Sequence, residues 1–238
     1  MSAVPTTPTA RRTTQWHLAL MLVLTFATGI VDAVGYLGLD RVFTANMTGN
    51  VVILGMALTG AEDLPIVGPV VALAGFLLGA ALTGRVLRRA ATGWTTASTL
   101  VVAGVGVGQL ALAGVVTTLG DAVPVTPGTT QPAAALAVTG VLGLVMGAQG
   151  AAARRLAVKD VTTVVVTSTL TGLAADSRLA GGTGEGWRRR AGAVLLILAG
   201  AAAGAGLLRV GFGAGLAVAA VITVAVGVLG HRRARMRP

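Results

Sequence analysis

Residues 18–39, LALMLVLTFATGIVDAVGYLGL, form the stretch that decides the class of this protein, because its 22 residues contain a single charged side chain, Asp32. A transmembrane α-helix needs about 20 consecutive apolar residues, so this stretch is long enough to cross a bilayer. The apolar part of a cleaved signal peptide is shorter. We therefore predict that it is a retained first transmembrane helix.

The rest of the chain repeats this pattern, with apolar segments at 18–39, 43–59, 65–84, 96–119, 133–152, 161–175, 191–208 and 212–230. Only 11% of the 238 residues are charged, against about 25% in soluble domains. Backbone groups in lipid must be satisfied within a helix or a closed barrel, and the segments lack the alternation of barrel strands. The prediction is an all-α polytopic membrane domain over 16–230, with a disordered tail over 1–15 and a basic tail over 231–238.

The net charge of +10 does not indicate nucleic-acid binding, because the basic residues form short clusters between apolar segments and aromatic residues make up only 3% of the chain. Such clusters are typical of cytoplasmic loops facing anionic lipid, so the expected partner is the bilayer. The chain has no cysteine, which excludes disulfides and thiolate metal sites. We find no nucleotide loop and no metalloprotease motif, and we predict neither a cofactor nor an enzyme.

Two short segments, 43–59 and 161–175, are rich in hydroxyl and amide side chains and resemble each other. The pattern Thr44-x-x-x-Thr48-Gly49 recurs as Thr167-x-x-x-Thr171-Gly172. We therefore predict two repeats, 18–119 and 133–230, joined by the proline-containing loop 120–132. Gly49 and Gly172 are the expected helix breaks.

The positions of the basic residues discriminate between two topologies. If all eight segments cross the membrane, the inner and outer faces carry 10 and 8 Lys and Arg residues; if 43–59 and 161–175 are re-entrant, they carry 16 and 2. The positive-inside rule favours the second topology, in which six spans form two inverted repeats and both termini are cytoplasmic. The alternative is that both segments are short, tilted spans.

The stretches GIVDAVGYL at 29–37 and VFTANMTGN at 42–50 resemble the signature of the YoaK-like family of bacterial multi-pass membrane proteins, which carry a domain of unknown function. The second half resembles the weaker second motif of the family at 147–149 and 167–172, but Gly150 stands where an Asn is expected. The resemblance implies a location in the bacterial inner membrane, and a transporter-like role is the one commonly supposed for such proteins.

Asp32 is the main candidate for chemistry, because an ionised carboxylate within a span is costly and usually faces a cavity or a partner. Either it binds a proton or cation, or it holds the neighbouring short segment by hydrogen bonds. Asn46, Thr48 and Asn50 either bind a solute or satisfy backbone groups freed by a helix break, and Thr167 and Thr171 are their counterparts. Lone amides such as Gln109 and Gln149 more often join helices.

Two hypotheses for function follow from these features. The first is a small-solute secondary transporter or channel-like protein, proton-coupled through Asp32, because inverted repeats with broken segments are typical of transporters. The second is a non-transporting membrane scaffold or a regulatory or assembly protein. A transporter needs an aqueous path to Asp32 and Asn46, whereas a scaffold would keep them packed and dry.

Overall fold

The apolar segments fold into helices in the computed structural model, which describes residues 8–61, 63–91, 93–120, 123, 125, 131–156 and 166–235. The regular structure in this part of the chain consists of α1 (Pro8–Gly38), α2 (Met47–Ala57), α3 (Val67–Leu87), α4 (Thr96–Leu119), α5 (Ala133–Leu156), α6 (Val166–Ala175), a short 3-10 helix (Arg178–Ala180), α7 (Trp187–Leu207) and α8 (Phe212–Arg235).

Six of the described helices, α1, α3, α4, α5, α7 and α8, are long and apolar enough to cross a membrane. Large apolar side chains project outward from them, including Leu78 and Leu82 of α3 and Leu195 and Leu198 of α7. An apolar outer surface of this kind suits lipid rather than water. Helices α2 and α6 have 11 and 10 residues, or about 16 Å of helix at 1.5 Å per residue, half of a bilayer core of about 30 Å.

The helices pack in a pattern that is unchanged when the two halves are exchanged. The most extensive interfaces join α1 to α7, α3 to α5 and α4 to α8. Exchange of α1–α4 with α5–α8 turns the first interface into the second and leaves the third unchanged. The smaller interfaces obey the same rule, because α1 on α8 corresponds to α5 on α4, and α2 on α3 corresponds to α6 on α7. The two predicted repeats are therefore related by a pseudo-two-fold axis.

Helices α1 and α7 run in the same direction, as close glycine contacts show. Gly200 of α7 lies against the backbone of Phe26 in α1, and Gly204, one turn later, lies against Ile30. Residue numbers therefore increase in the same direction along both helices. Because glycine has no side chain, the two backbones can approach closely, as is common between membrane helices.

The equivalent interface between α3 and α5 shows the same arrangement, because Gly143 lies against Ala72 and Gly147 against Phe76. These two helices are parallel as well. Helices α4 and α8 are antiparallel, because Gly213 near the start of α8 meets Ala113 late in α4, whereas Gly227 near its end meets Ala103. Each helix of the first half thus runs opposite to its counterpart in the second half.

These directions place both ends of each short segment at one face of the bundle. Leu39 at the end of α1 forms a backbone bridge with Val125, and Gly68 in the first turn of α3 lies against Val42 and Gln131. We call this end of the bundle the α2 face. At the opposite end, the α6 face, Arg155 of α5 donates to the carbonyl of Ala90 after α3 at 2.6 Å.

Since α7 is parallel to α1, it begins at the α6 face, where α5 ends. The chain therefore leaves and re-enters the bundle at the α2 face around α2, and at the α6 face around α6. The prediction of six spans, two short non-crossing segments and inverted repeats is confirmed.

The structure differs from the sequence-based boundaries in three places. Helix α1 begins at Pro8, so residues 8–15 of the predicted disordered tail are helical, and α8 extends to Arg235 into the predicted basic tail. Helices α2 and α6 run through Gly49 and Gly172 without interruption, so the predicted breaks are not at these glycines. Residues 1–7, 161–165 and 236–238, and most of the 120–132 loop, lie outside the described part.

Candidate functional site

The chain reverses direction at the α2 face immediately after α1. The amide of Arg41 donates to the carbonyl of Tyr36 at 3.0 Å, closing the end of the helix. Asp40 and Arg41 have φ angles of 54° and 60°, in the left-handed region that few residues other than glycine adopt. This sharp reversal brings residues 43–46 back alongside the last turns of α1, where Asp32 lies.

Asp32 binds the backbone that leads into α2. Its Oδ1 accepts hydrogen bonds from three successive amides, those of Thr44 at 3.1 Å, Ala45 at 2.7 Å and Asn46 at 3.2 Å. Successive amides that converge on one oxygen form an anion-binding concavity. Because α2 begins at Met47, the carboxylate also lies at the positive end of the helix dipole.

The second carboxylate oxygen of Asp32 differs from the first. Oδ2 makes no hydrogen bond with any residue that the structure describes, and the side chain is partly exposed. Asp32 therefore combines an oxygen fixed by the backbone with an oxygen that is open to a proton or a cation. Binding there would alter the charge that holds the start of α2.

Asn50 binds the backbone rather than a free site. Its Oδ1 accepts from the amide of Phe43 at 2.9 Å, and its Nδ2 donates to the Phe43 carbonyl at 2.6 Å. The side chain is fully buried. These two bonds pair Phe43 in the way a neighbouring strand would, so Asn50 holds the re-entrant loop against α2.

Asn46 caps α2, because its Oδ1 accepts from the amide of Gly49 at 3.3 Å. Gly49 itself lies against the ring of Phe43, and a side chain at this position would collide with that ring. The glycine is therefore needed for close approach and not for a helix break. Thr48 is exposed on the first turn. Asp32 contacts the backbone amide of Asn46, while the side chains of Asn46 and Asn50 bind the backbone of Gly49 and Phe43. Thr48 takes no part in these contacts.

The counterpart segment in the second half is held differently. Thr167 and Thr171 are exposed on α6, and the hydroxyl of Thr171 donates to the Thr167 carbonyl at 2.9 Å. They do not form a second polar cluster. Arg190 of α7 holds this helix instead, since its Nη1 lies 2.6 Å from the carbonyl of Gly172 and 2.7 Å from a carboxylate oxygen of Asp176.

The sequence did not single out two side chains that matter here, Arg190 and Thr28. Arg190 was visible only as one member of a basic cluster. Thr28 precedes Asp32 by four residues, which places both on one face of α1, and this spacing was a usable signal. Its hydroxyl accepts a hydrogen bond from Nε2 of Gln149 at 2.9 Å, so Gln149 joins α5 to α1 as the sequence suggested for a lone amide.

Comparison with known proteins agrees with this architecture. A family model described as "Protein of unknown function (DUF1275)" matches residues 20–229. Over 81 residues the chain is 41% identical to the UPF0700 transmembrane protein YoaK of Bacillus subtilis (strain 168), a match that covers 34% of this chain and 36% of YoaK. The aligned region thus spans about a third of that relative. No solved structure matches the chain.

The resemblance to the YoaK-like family is confirmed by these matches. The family model covers most of the chain and both repeats, including the Asp32 loop and the α6 segment. The chain is a transmembrane protein that belongs to the family of proteins of unknown function DUF1275.

Proposed function

We propose that this chain is a non-enzymatic secondary transporter or channel-like protein for a small solute, coupled to protons through Asp32. The observation that carries the proposal is the Asp32 carboxylate at the start of a short re-entrant helix, within an inverted-repeat bundle. Transporters built from inverted repeats commonly place their sites where discontinuous helices meet, near the middle of the membrane.

The hydrogen bonds of Asp32 suggest how a proton would act. An ionised carboxylate accepts three charge-assisted bonds from the residues 44–46 loop, and such bonds are stronger than neutral ones. Protonation at Oδ2 removes that charge and weakens all three bonds together. The start of α2 is then held less tightly to α1, so proton occupancy and the position of α2 are coupled, and by linkage each affects the other.

The orientation of the protein belongs to the same proposal. Among the described residues, the α2 face carries Arg41 and Arg209, whereas the α6 face carries the clusters at 85–89, 154–155, 188–190 and 232–235. The positive-inside rule then places the α6 face and both termini in the cytoplasm of a bacterial cell, with the protein in the inner membrane.

Single cysteines test this orientation directly, because the chain has none of its own. Thr59→Cys lies beyond α2 and Thr183→Cys lies between α6 and α7, and both positions are exposed. In intact cells we expect an impermeant thiol reagent to label position 59 and not position 183, and to label 183 once the membrane is opened. Labelling of 183 alone in intact cells would reverse the orientation.

Proton movement tests the function. Proteoliposomes that contain a pH-sensitive dye are given a potassium diffusion potential, alone and with small amino acids, polyols or amides outside. We expect the wild-type protein to admit protons faster than protein-free vesicles, alone or with one class of solute. Asp32→Asn, which keeps an acceptor oxygen but cannot ionise, should lose this response.

The matched control is Asp63→Asn, which makes the same chemical change in the loop before α3. Asp63 has a φ of 48°, a conformation that Asn tolerates well, so this variant should transport like the wild-type protein. Wild-type vesicles that admit protons no faster than empty ones under every condition would contradict the transport proposal.

A second candidate function is a non-transporting scaffold or a regulatory or assembly protein. The observation that favours it is that Asn46, Asn50 and one oxygen of Asp32 are occupied by backbone groups. Such bonds would suit a loop built only to be rigid. A protein that passes the folding and orientation tests and fails every flux test would favour this second function.

A further inference from the structure

A layer of buried polar side chains separates two apolar regions of the bundle. The apolar cluster toward the α2 face includes Leu39, Val42 and Leu216, and the cluster toward the α6 face includes Leu20 and Leu156. Three buried side chains lie between the clusters along their helices, namely Gln109 of α4, Gln149 of α5 and Thr223 of α8, and Gln149 is hydrogen-bonded to a fourth, Thr28 of α1. Each of the four is no more than 1% exposed. We call these four residues the midplane layer.

The chain positions of the two clusters show the level of three of these side chains. On α4, Gln109 lies between Val102 of one cluster and Leu112 of the other. On α8, Thr223 lies between Ala219 and Val226 in the same way. On α5, Gln149 lies between Met146 and Ala152, and its hydrogen bond adds Thr28 of α1 to the layer. Gln109 and Thr223 are near the middle of α4 and α8.

Hydrogen bonds link the midplane layer across helices but leave acceptors unused. Gln149 donates to Thr28 at 2.9 Å, and Gln109 donates only to the sulfur of Met146 at 3.4 Å, which is a weak acceptor. Among the residues that the structure describes, neither Oε1 of Gln109 nor Oε1 of Gln149 has a partner, although both atoms are buried. Rotation of an amide exchanges its oxygen and its nitrogen, so one end of each amide stays open in either orientation.

The hydroxyl groups of the midplane layer cannot supply that partner. Thr28 donates its proton to the carbonyl of Leu24 at 2.9 Å, and Thr223 donates to the carbonyl of Ala219 at 2.8 Å. The layer therefore presents two amide oxygens without a donor and, on each amide nitrogen, a second N–H that bonds to no described residue. Buried polar atoms in proteins nearly always have a partner, and within a membrane bulk water is not at hand.

We propose that the midplane layer binds a small neutral hydrogen-bond donor, either water itself or a small neutral solute such as a polyol or an amide. The ligand must be able to donate, because the two amide oxygens are open acceptors, and water, polyols and amides can also accept from the second N–H of each amide. It must be neutral, because the four residues of the layer carry no charge that could balance an ion within the membrane. This inference rests on the proposed transport function and names its substrate class.

The midplane layer also connects to the Asp32 site. Thr28 and Asp32 are four residues apart on α1, so they lie one turn apart on the same side of the helix. Asp32 lies toward the α2 face and is partly exposed, whereas Thr28 is buried. A donor that passes Asp32 would meet the Thr28–Gln149 pair next. The layer is then the closed part of a path whose outer part is the Asp32 loop.

Stopped-flow light scattering on proteoliposomes of the full chain distinguishes the two sources of the ligand. A sucrose gradient measures water flux, because sucrose does not permeate the vesicles. A gradient of glycerol or urea measures the flux of that solute. We expect at least one of these rates to exceed that of protein-free vesicles several-fold. Gln109→Leu and Gln149→Leu should each reduce the excess to near zero, and Gln15→Leu, the same change at an exposed position of α1, should leave it intact.

Gln109→Leu keeps the test interpretable if Gln149→Leu fails to fold. The Gln109 amide makes only the contact to sulfur, so its loss should not lower the thermal midpoint of the purified protein in detergent. A folded Gln109→Leu protein with wild-type flux would overturn the proposal, and so would wild-type rates equal to those of empty vesicles in all arms. If the wild-type protein admits protons but neither water nor a neutral solute, only the binding of a neutral ligand at the midplane layer is overturned. If neutral flux is present and Asp32→Asn leaves the proton response unchanged, only the coupling through Asp32 is overturned.

Discussion

Helices α2 and α6 occupy equivalent places in the two halves, yet they are held by opposite charges. Asp32 of α1 binds the amides at the start of α2, whereas Arg190 of α7 binds a carbonyl of α6 and the carboxylate of Asp176 just after that helix. Each charge matches the helix dipole, since an acid is favourable at the N-terminal end and a base at the C-terminal end.

The two charged contacts lie in different surroundings. The contact at α2 lies within a membrane span, where a change of charge has a large effect. The contact at α6 includes Asp176, whose side chain is 56% exposed, so water screens it. The proton response that we propose therefore belongs to the α2 half.

Asp32→Ala should have the largest effect on stability, because it leaves three loop amides without their acceptor. We expect a loss of about 3–5 kcal/mol, since each buried amide left without an acceptor costs about 1–3 kcal/mol. Reversible denaturation in mixed detergent micelles measures it. Asp32→Asn should lose clearly less unfolding free energy, because it keeps an acceptor oxygen. Equal losses for the two variants would show that the hydrogen bonds to the loop do not stabilise the protein.

Close glycine contacts in both halves should be equally sensitive. Gly79→Ala of α3 and Gly200→Ala of α7 each place a methyl group against backbone, that of Leu144 and of Phe26. Overpacking of this kind costs about 1–3 kcal/mol. Gly84→Ala, in α3 with no atom nearby, is the control and should be neutral or stabilising. A loss in one half only would contradict the pseudo-two-fold packing.

Asn50→Ala should cost about 2 kcal/mol, because the buried amide and carbonyl of Phe43 lose their partners. Thr48→Ala, at an exposed position of the same helix, should change stability by less than about 0.5 kcal/mol. Thermal unfolding followed by circular dichroism compares the two. Equal midpoints would mean that the loop at 43–46 is held without Asn50.

Arg190→Gln should have the smallest effect, about 1 kcal/mol, and it should shrink as salt is added. Arg188→Gln removes an exposed arginine from the same turn of α7 and should have almost no effect. The comparison is made from thermal midpoints at low and high ionic strength. An effect of Arg190→Gln as large as that of Asp32→Ala would remove the distinction between the two halves.

Much of the architecture was predictable because it depends on local composition. Apolar length identified the six spans, and the positions of Arg residues favoured re-entrant segments at 43–59 and 161–175, which the packing of α1 on α7 and α3 on α5 confirms. That Asp32 holds the neighbouring short segment by hydrogen bonds was one of the two alternatives open from the sequence, and its bonds to residues 44–46 are of that kind.

The choice of partners was not predictable to the same degree. Gly49 and Gly172 looked like helix breaks, but the helices continue through them because each glycine makes room for a neighbour, the Phe43 ring or the Arg190 guanidinium. Thr167 and Thr171 matched the first repeat by spacing and yet are exposed, and α5 has Gly150, without a carboxylate, in the position equivalent to Asp32.

Membrane class, span number and the inverted repeats follow from the order of residues, because the bilayer imposes length and charge rules that act on each segment separately. Which polar atoms meet depends on the crossings of helices far apart in the chain. Only folding could show that Oδ1 of Asp32 is taken by three amides while the amide oxygens of Gln109 and Gln149 are left open. Hydrogen bonds depend on distances of tenths of an ångström, and tertiary packing sets those distances.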